Sequence, residues 1–182
     1  TGSHLYHFTF SLPIFHRGKL SGFACCMAHW TDVGGVLGGV TTDIYSEVLQ
    51  IPIVKYAKAG VVNQDLVDII RMNVRIPERA MGDLRAQITA VKTGERRFLE
   101  LLDRYGREEV LAAIQNIMNQ SEAAARARTR TIPDGTYEAD SFMDDDGVEI
   151  GKRVPIKVRV VKKGEEMTVD LSQVSPQVRG FY

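Results

Sequence analysis

The sequence holds four histidines, and three of them, His4, His7 and His29, lie where the chain pattern can bring them together. Histidine is the commonest metal ligand and carries protons in the physiological range. Residues 6–29 read as a β-hairpin. Tyr6, Phe8, Phe10 and Leu12 alternate with His7, Thr9 and Ser11, the period of a strand. His16-Arg17-Gly18-Lys19 supplies a turn, and Leu20 to Ala28 returns as an almost wholly apolar strand. Two registers are open. A strict two-residue turn at Arg17-Gly18 sets Tyr6 opposite His29 and puts His7 on the other face. A turn with Gly18 in a left-handed bulge pairs His7 with Met27 and His29 with Leu5. The two imidazoles then share a face as diagonal neighbours, roughly 7–8 Å apart at the backbone. His4 joins them only if residues 1–5 bend back, because three residues along a strand lead to the opposite face. Asp32 leaves the strand end three residues after His29. A three- or four-donor site of imidazole and carboxylate suits a divalent transition metal: zinc, manganese or iron. The plainer alternative is a set of packed or hydrogen-bonded strand histidines. His16 falls in the turn and reads as solvated.

Other candidate motifs carry less. In Asp32-Val33-Gly34-Gly35, the glycines let backbone N–H groups approach a bound anion or cofactor, and a plain turn is the alternative. Asp144-Asp145-Asp146-Gly147 lacks the spaced ligands of a calcium loop and reads as a β-turn. There is no lysine-bearing phosphate loop, so ATP chemistry is not encoded in this segment.

The chain of 182 residues is 44% hydrophobic and 25% charged, enough apolar material for a core. Its formal net charge is zero, which argues against nucleic acid, since such proteins carry a basic stripe. No apolar run approaches a membrane span. Cys25 and Cys26 are adjacent and point to opposite faces of a strand, so they do not bridge. The absence of a disulfide framework fits a reducing compartment, and cytoplasm is the expectation.

The elements that must position these residues follow from local pattern. The expected class is α+β: an N-terminal hairpin and glycine-rich loop over 1–62, a helical segment over 63–132, and a small antiparallel sheet over 133–182. Residues 30–62 read as irregular. Asn63 is a good N-cap for a short helix over 63–75, with Leu66, Ile69, Ile70 and Val74 on one face. Pro77 opens a longer helix, and Met81, Leu84, Ile88, Val91, Phe98, Leu102 and Tyr105 make a seam that asks for a partner. Gly94 is a possible break and Gly106 the stop. A further helix carries Val110, Leu111, Ile114, Ile117 and Met118, so a central helical hairpin with Ile114 and Ile117 buried is expected. From Pro133-Asp134-Gly135 the pattern turns to strands, with Lys162-Lys163-Gly164-Glu165 as a hairpin turn.

An ordered series of motifs resembles one family. His29-Trp30-Thr31-Asp32-Val33-Gly34-Gly35 is similar to the H-x-x-D-V-G-G segment of the hydantoinase B/oxoprolinase family. Asp43-Ile44-Tyr45-Ser46-Glu47, Asn73-Val74-Arg75-Ile76-Pro77, Gly82-Asp83-Leu84-Arg85-Ala86-Gln87, Pro133-Asp134-Gly135 and Asp145-Asp146-Gly147 match its D-I-Y-x-E, N-V-R-x-P, G-D-L-x-A-Q, P-D-G and D-D-G in order. The leading Gly2-Ser3-His4-Leu5-Tyr6-His7 resembles its G-x-H-x-x-D, so His4 belongs to the motif rather than to a cloning remnant, and His7 replaces an aspartate.

The resemblance implies metal ligands at His4, His7 and His29, catalytic carboxylates at Asp32 and Glu47, and a ligand-binding loop at Gly34 and Gly35. It implies an A-type partner subunit that uses ATP to activate a small-molecule carbonyl, in a hetero-oligomer. The expected activity is the metal-dependent part of a cyclic amide hydrolase. The alternatives are a subunit of an ATP-dependent ketone carboxylase and a non-catalytic assembly segment. Family B subunits are much longer, so the chain is expected to be a fragment of a larger catalytic subunit.

Overall fold

A computed structural model of the chain describes residues 5–36 and 38–180. It divides into two compact units, Thr1–Val110 and Leu111–Tyr182.

The first unit opens with β1 (His7–His16) and β2 (Lys19–His29), an antiparallel pair. Arg17 and Gly18 between them have φ of 51° and 77°. A two-residue turn with two positive φ values matches the right-handed twist of the strands it joins. From His16↔Lys19 and Phe15↔Leu20 the pairing then shifts by one residue, to Ile14↔Gly22, and runs on to His7↔His29. Ser21 is the extra residue of a β-bulge. Arg107 holds it there: Nε donates to Ser21 Oγ at 3.1 Å, and Nη2 donates to the Leu20 carbonyl at 3.2 Å. Neither register read from the turn alone is the observed one. The tight turn is present, and the bulge lies on the return strand rather than at Gly18.

The hairpin has a helix-facing side and an outer side. β1 and β2 both pack on α3 (Pro77–Tyr105). Phe8, Phe10, Leu12, Ile14 and His16 alternate into the covered side, while Thr9, Ser11, Pro13 and Phe15 are exposed. His16 is therefore not a solvated turn residue. It ends β1 on the covered side, is buried, and its Nε2 lies 3.1 Å from Asp103 Oδ1. The apolar seam of α3 finds its partner in this hairpin: Met81, Leu84, Val91 and Leu102 are buried, whereas Tyr105 is exposed. α3 is unbroken at Gly94. A Cβ there would sit 3.2 Å from the Ala24 Cβ, so glycine lets helix and strand approach closely.

The glycine-rich loop is less irregular than its composition suggests. It contains α1 (Ile44–Glu47), capped by the Asp43 carboxylate, and a minimal hairpin of β3 (Ala57–Lys58) and β4 (Val61–Val62). α2 (Gln64–Asn73) follows, with Asn63 Oδ1 accepting from Leu66 N–H as its N-cap. One core gathers Trp30, Val33, Val48, Ile70, Val74, Ala80, Met81 and Leu84 from the loop, α2 and α3.

α4 (Arg107–Arg130) starts after Gly106, and the division between the units falls within it. Ile114 and Ile117 are 39% and 62% exposed, so the burial expected for them is not observed; the seam of α3 is occupied by strands instead. The second unit's sheet is β5 (Gly135–Met143), β6 (Val154–Lys163) and β7 (Glu166–Asp170), antiparallel in that order. Lys162, expected in a hairpin turn, is the penultimate residue of β6. It is buried, and its Nζ donates to Asp134 Oδ1 at 2.6 Å. No helix among the described residues is long and apolar enough to cross a membrane.

Candidate functional site

The bulge at Ser21 decides where the histidines go. With the pairing moved by one residue, His7 stands directly opposite His29, on the outer side of the hairpin. Their ring centroids are 5.2 Å apart, edge to face. The Tyr6 ring stacks on His29 at 5.2 Å, and Trp30 N–H donates to the Tyr6 carbonyl at 3.0 Å, closing the ends of the strands around the pair. His4 lies outside the described residues, so its place in the cluster is not part of this geometry. Among the described residues no three His, Cys, Asp or Glu side chains converge on one point. Two imidazoles on one face fit one side of a divalent metal site with nitrogen donors.

Asp32 is committed elsewhere. Its carboxylate accepts from Gly34 N–H at 3.1 Å, from Arg75 Nη1 at 2.9 Å, and from the Arg75 backbone N–H. Arg75 Nη2 also donates to the Gly35 carbonyl. Burial pushes the Asp32 carboxyl upward, but the hydrogen bonds from the Arg75 and Gly34 N–H groups and the Arg75 guanidinium outweigh it and hold the group below its ordinary value. Asp32 is thus an ionised anchor that ties the glycine loop to the segment after α2.

Gly34 and Gly35 answer a packing demand of the chain itself. Their φ values are 78° and 73°. A Cβ on Gly34 would lie 2.6 Å from the Asn73 carbonyl oxygen, and one on Gly35 would overlap the Glu47 carbonyl. Any side chain there is excluded twice, by backbone strain and by space. The same two glycines, with Tyr45, Leu49 and Asn73, line a cleft of about 460 Å3 that neither His7 nor His29 lines. Glu47 is half-buried at the end of α1, and its backbone carbonyl closes on Gly35. The structure therefore brings together His7 and His29, and separately Asp32, Gly34, Gly35 and Glu47.

Sequence reasoning missed Gln87. It is buried on α3, and its Nε2 donates to the Phe8 carbonyl at 2.8 Å and to the Cys26 carbonyl at 3.3 Å. Its Oε1 accepts from Trp30 Nε1 at 2.6 Å. Phe8 and Trp30 stack with centroids 4.2 Å apart. A signal was present: Gln87 sits three residues after Leu84 and four before Val91, on the apolar seam where a polar side chain needs a reason.

Asp145 and Asp146 hold backbone through their carboxylates. Asp146 accepts from the N–H groups of Val148, Glu149, Arg179 and Gly180, and Asp145 from those of Gly147 and Gly151.

Known proteins show the same chain course. The caprolactamase subunit beta of Pseudomonas jessenii is 36% identical over 184 residues, covering 99% of this chain and 31% of its own length. The crystal structure of the ATP-dependent caprolactamase from that organism superposes with a TM-score of 0.91 at 34% identity, over 98% of this chain and 31% of that one. The acetophenone carboxylase delta subunit of Aromatoleum aromaticum is 27% identical over 176 residues, 94% of this chain and 26% of its own. The chain thus spans under a third of the length of these relatives. The family model for hydantoinase B/oxoprolinase matches residues 1–182, and the chain belongs to that family.

Proposed function

We propose that this chain is the metal-holding part of an ATP-dependent cyclic amide hydrolase, acting on a carbonyl group that an A-type partner subunit activates. The observation that carries the reading is the His7–His29 pair, directly opposed on an outer face with ring centroids 5.2 Å apart. The likeness to a caprolactamase subunit supports a cyclic amide as the substrate class.

His7 and His29, with His4 as the third donor, would hold zinc, manganese or iron. When bound, such an ion supplies Lewis-acid polarisation of a carbonyl or acidifies water toward a pKa of about 7. Neutral imidazoles leave the ion's double charge uncompensated, which favours that chemistry. The rest falls to the chain's own groups. The bulge at Ser21 sets the imidazoles on one side, and the Tyr6 ring fixes the plane of His29. Asp32, kept ionised by Arg75, holds Gly34 and Gly35 at the wall of their cleft, which we assign to the substrate or the activated group. Glu47 follows at the end of α1, its backbone carbonyl against Gly35, and is the carboxylate we assign to proton transfer.

The test is His29→Ala in the full-length protein with its partner, with metal content, ATP hydrolysis and product formation measured on the same preparation. We expect loss of metal and of product, with partner-dependent ATP hydrolysis partly retained. His7→Asp should keep metal binding and shift its preference among zinc, manganese and iron. Normal product formation by a folded, metal-free His29→Ala protein would leave the assembly role instead. The likeness to an acetophenone carboxylase subunit favours a second reading, a ketone carboxylase, which bicarbonate-dependent ATP turnover would reveal.

A further inference from the structure

We infer that Gln87 is the positioning residue of the histidine pair. The inference rests on the reading of His7 and His29 as a joint site, and it concerns what sets their separation.

The two histidines stand opposite one another on the outer side of the hairpin, at the end of the paired strands. A further anchor lies beneath them. Gln87 reaches up from α3 with one carboxamide and touches both strands. Its Nε2 donates to Phe8, the residue after His7, at 2.8 Å, and to Cys26 on the opposite strand at 3.3 Å. Its Oε1 accepts at 2.6 Å from the indole of Trp30, the residue after His29. One rigid planar group therefore pins the chain immediately next to each imidazole. Gln87 is only 3% exposed and Trp30 is fully buried. Substitution cannot be made good by water, so each lost bond leaves a desolvated partner. Buried polar groups of this kind specify one arrangement where an apolar core tolerates several. The stacked Phe8 and Trp30 rings are the lever: they join the anchored carboxamide to the backbone of both histidines. An apolar residue at this position would still fill the core, but the strand ends would lose the anchor that fixes them to the fraction of an ångström that a shared ion demands.

The experiment compares variants of the full-length protein. Gln87→Met keeps the volume and removes every hydrogen bond, and Trp30→Phe keeps an aromatic ring and removes only the indole donor. Leu84→Ala, one turn away on the same helix, weakens the same core without touching the carboxamide. Three quantities are read: the melting temperature, the Kd for Zn2+ alone, and the His7–His29 ring separation in crystals. We expect Gln87→Met to weaken Zn2+ binding by about tenfold or more, the usual effect of removing support behind a ligand. Trp30→Phe should weaken it less. Leu84→Ala should lower the melting temperature yet leave the affinity within about twofold. In crystals of Gln87→Met, the ring separation should depart from 5.2 Å. An unchanged separation overturns the positioning role, as does a loss of affinity in Leu84→Ala equal to that in Gln87→Met. His29→Ala tells the two failures apart. If it binds Zn2+ like the parent protein, the joint site itself is wrong. If it loses Zn2+ while Gln87→Met does not, only the role of Gln87 falls.

Discussion

The two units of this molecule use polar side chains in different ways. In the first, side chains cross between elements distant in sequence: Gln87 to both hairpin strands, Asp32 to Arg75, His16 to Asp103, and Arg107 to the bulge. In the second, carboxylates take backbone N–H groups both near and far: Asp145 from Gly147, Asp134 from Gly164, and Asp146 from Arg179 and Gly180. The apolar side follows the same division. Among the described residues Val154 is the buried apolar residue of the second unit, while the core of the first runs from Ile14 to Val110. Residues that can do chemistry gather where packing and long-range hydrogen bonds together fix the backbone.

The contrast can be broken by mutation, and the largest effect is expected in the core of the first unit. Leu84→Asp puts an unpaired charge among Trp30, Ile70 and Met81, and should cost more than about 4 kcal/mol. Ile117→Asp on the exposed side of α4 should cost about 1 kcal/mol or less, the helix-propensity difference alone. Equal losses in denaturant unfolding would show that α4 is covered and would remove the distinction. Asp32→Asn comes next. It keeps the shape of the clamp and loses the charge facing Arg75, for an expected cost of about 1–2 kcal/mol, with the Arg75–Gly34 segment the first to gain hydrogen exchange.

The smallest and most local effect concerns acid. Backbone N–H groups of Glu149 and Val148, joined by those of Gly180 and Arg179, depress Asp146 from 3.8 to about 2. A folded value below the unfolded one means that the carboxylate contributes stability above pH 3.8. That contribution fades as pH falls from 3.8 toward about 2, and is absent below it. Asp146→Asn should flatten this part of the acid-unfolding profile. A profile identical to that of the parent would show that the anchor holds no part of the second unit.

Much of this architecture was legible in the residues. Alternation in Tyr6 to Leu12, the cap at Asn63, Pro77 at a helix start and Gly106 at its end all report local preferences, and each element stands where those place it. The register of the hairpin was not legible, because the bulge at Ser21 is held by Arg107, 86 residues further on. Nor was the partner of the α3 seam: a helix face shows that it must be covered, not by what. His16 shows the opposite case. Simple alternation already placed it with Ile14 on the covered side, and the turn residues beside it disguised this. At the site, the histidine types were legible and their shared face followed from a different bulge than the one expected. The carboxamide of Gln87 stood in plain view on an apolar seam and was passed over as part of a motif.

The extra residue at Ser21 gives the hairpin an even–odd rule. Because side chains alternate across a strand, a change of one residue in length between His7 and His29 exchanges the two sides of one strand, while a change of two leaves them as they were. The same exchange that would part the imidazoles would also lift Ala24, Cys26 and Ala28, or Phe10, Leu12 and Ile14, away from α3. Site and core are therefore read from a single parity. Slippage that would spoil the histidine pair is resisted by the full weight of the packed side, so the outer face inherits the precision of the core beneath it.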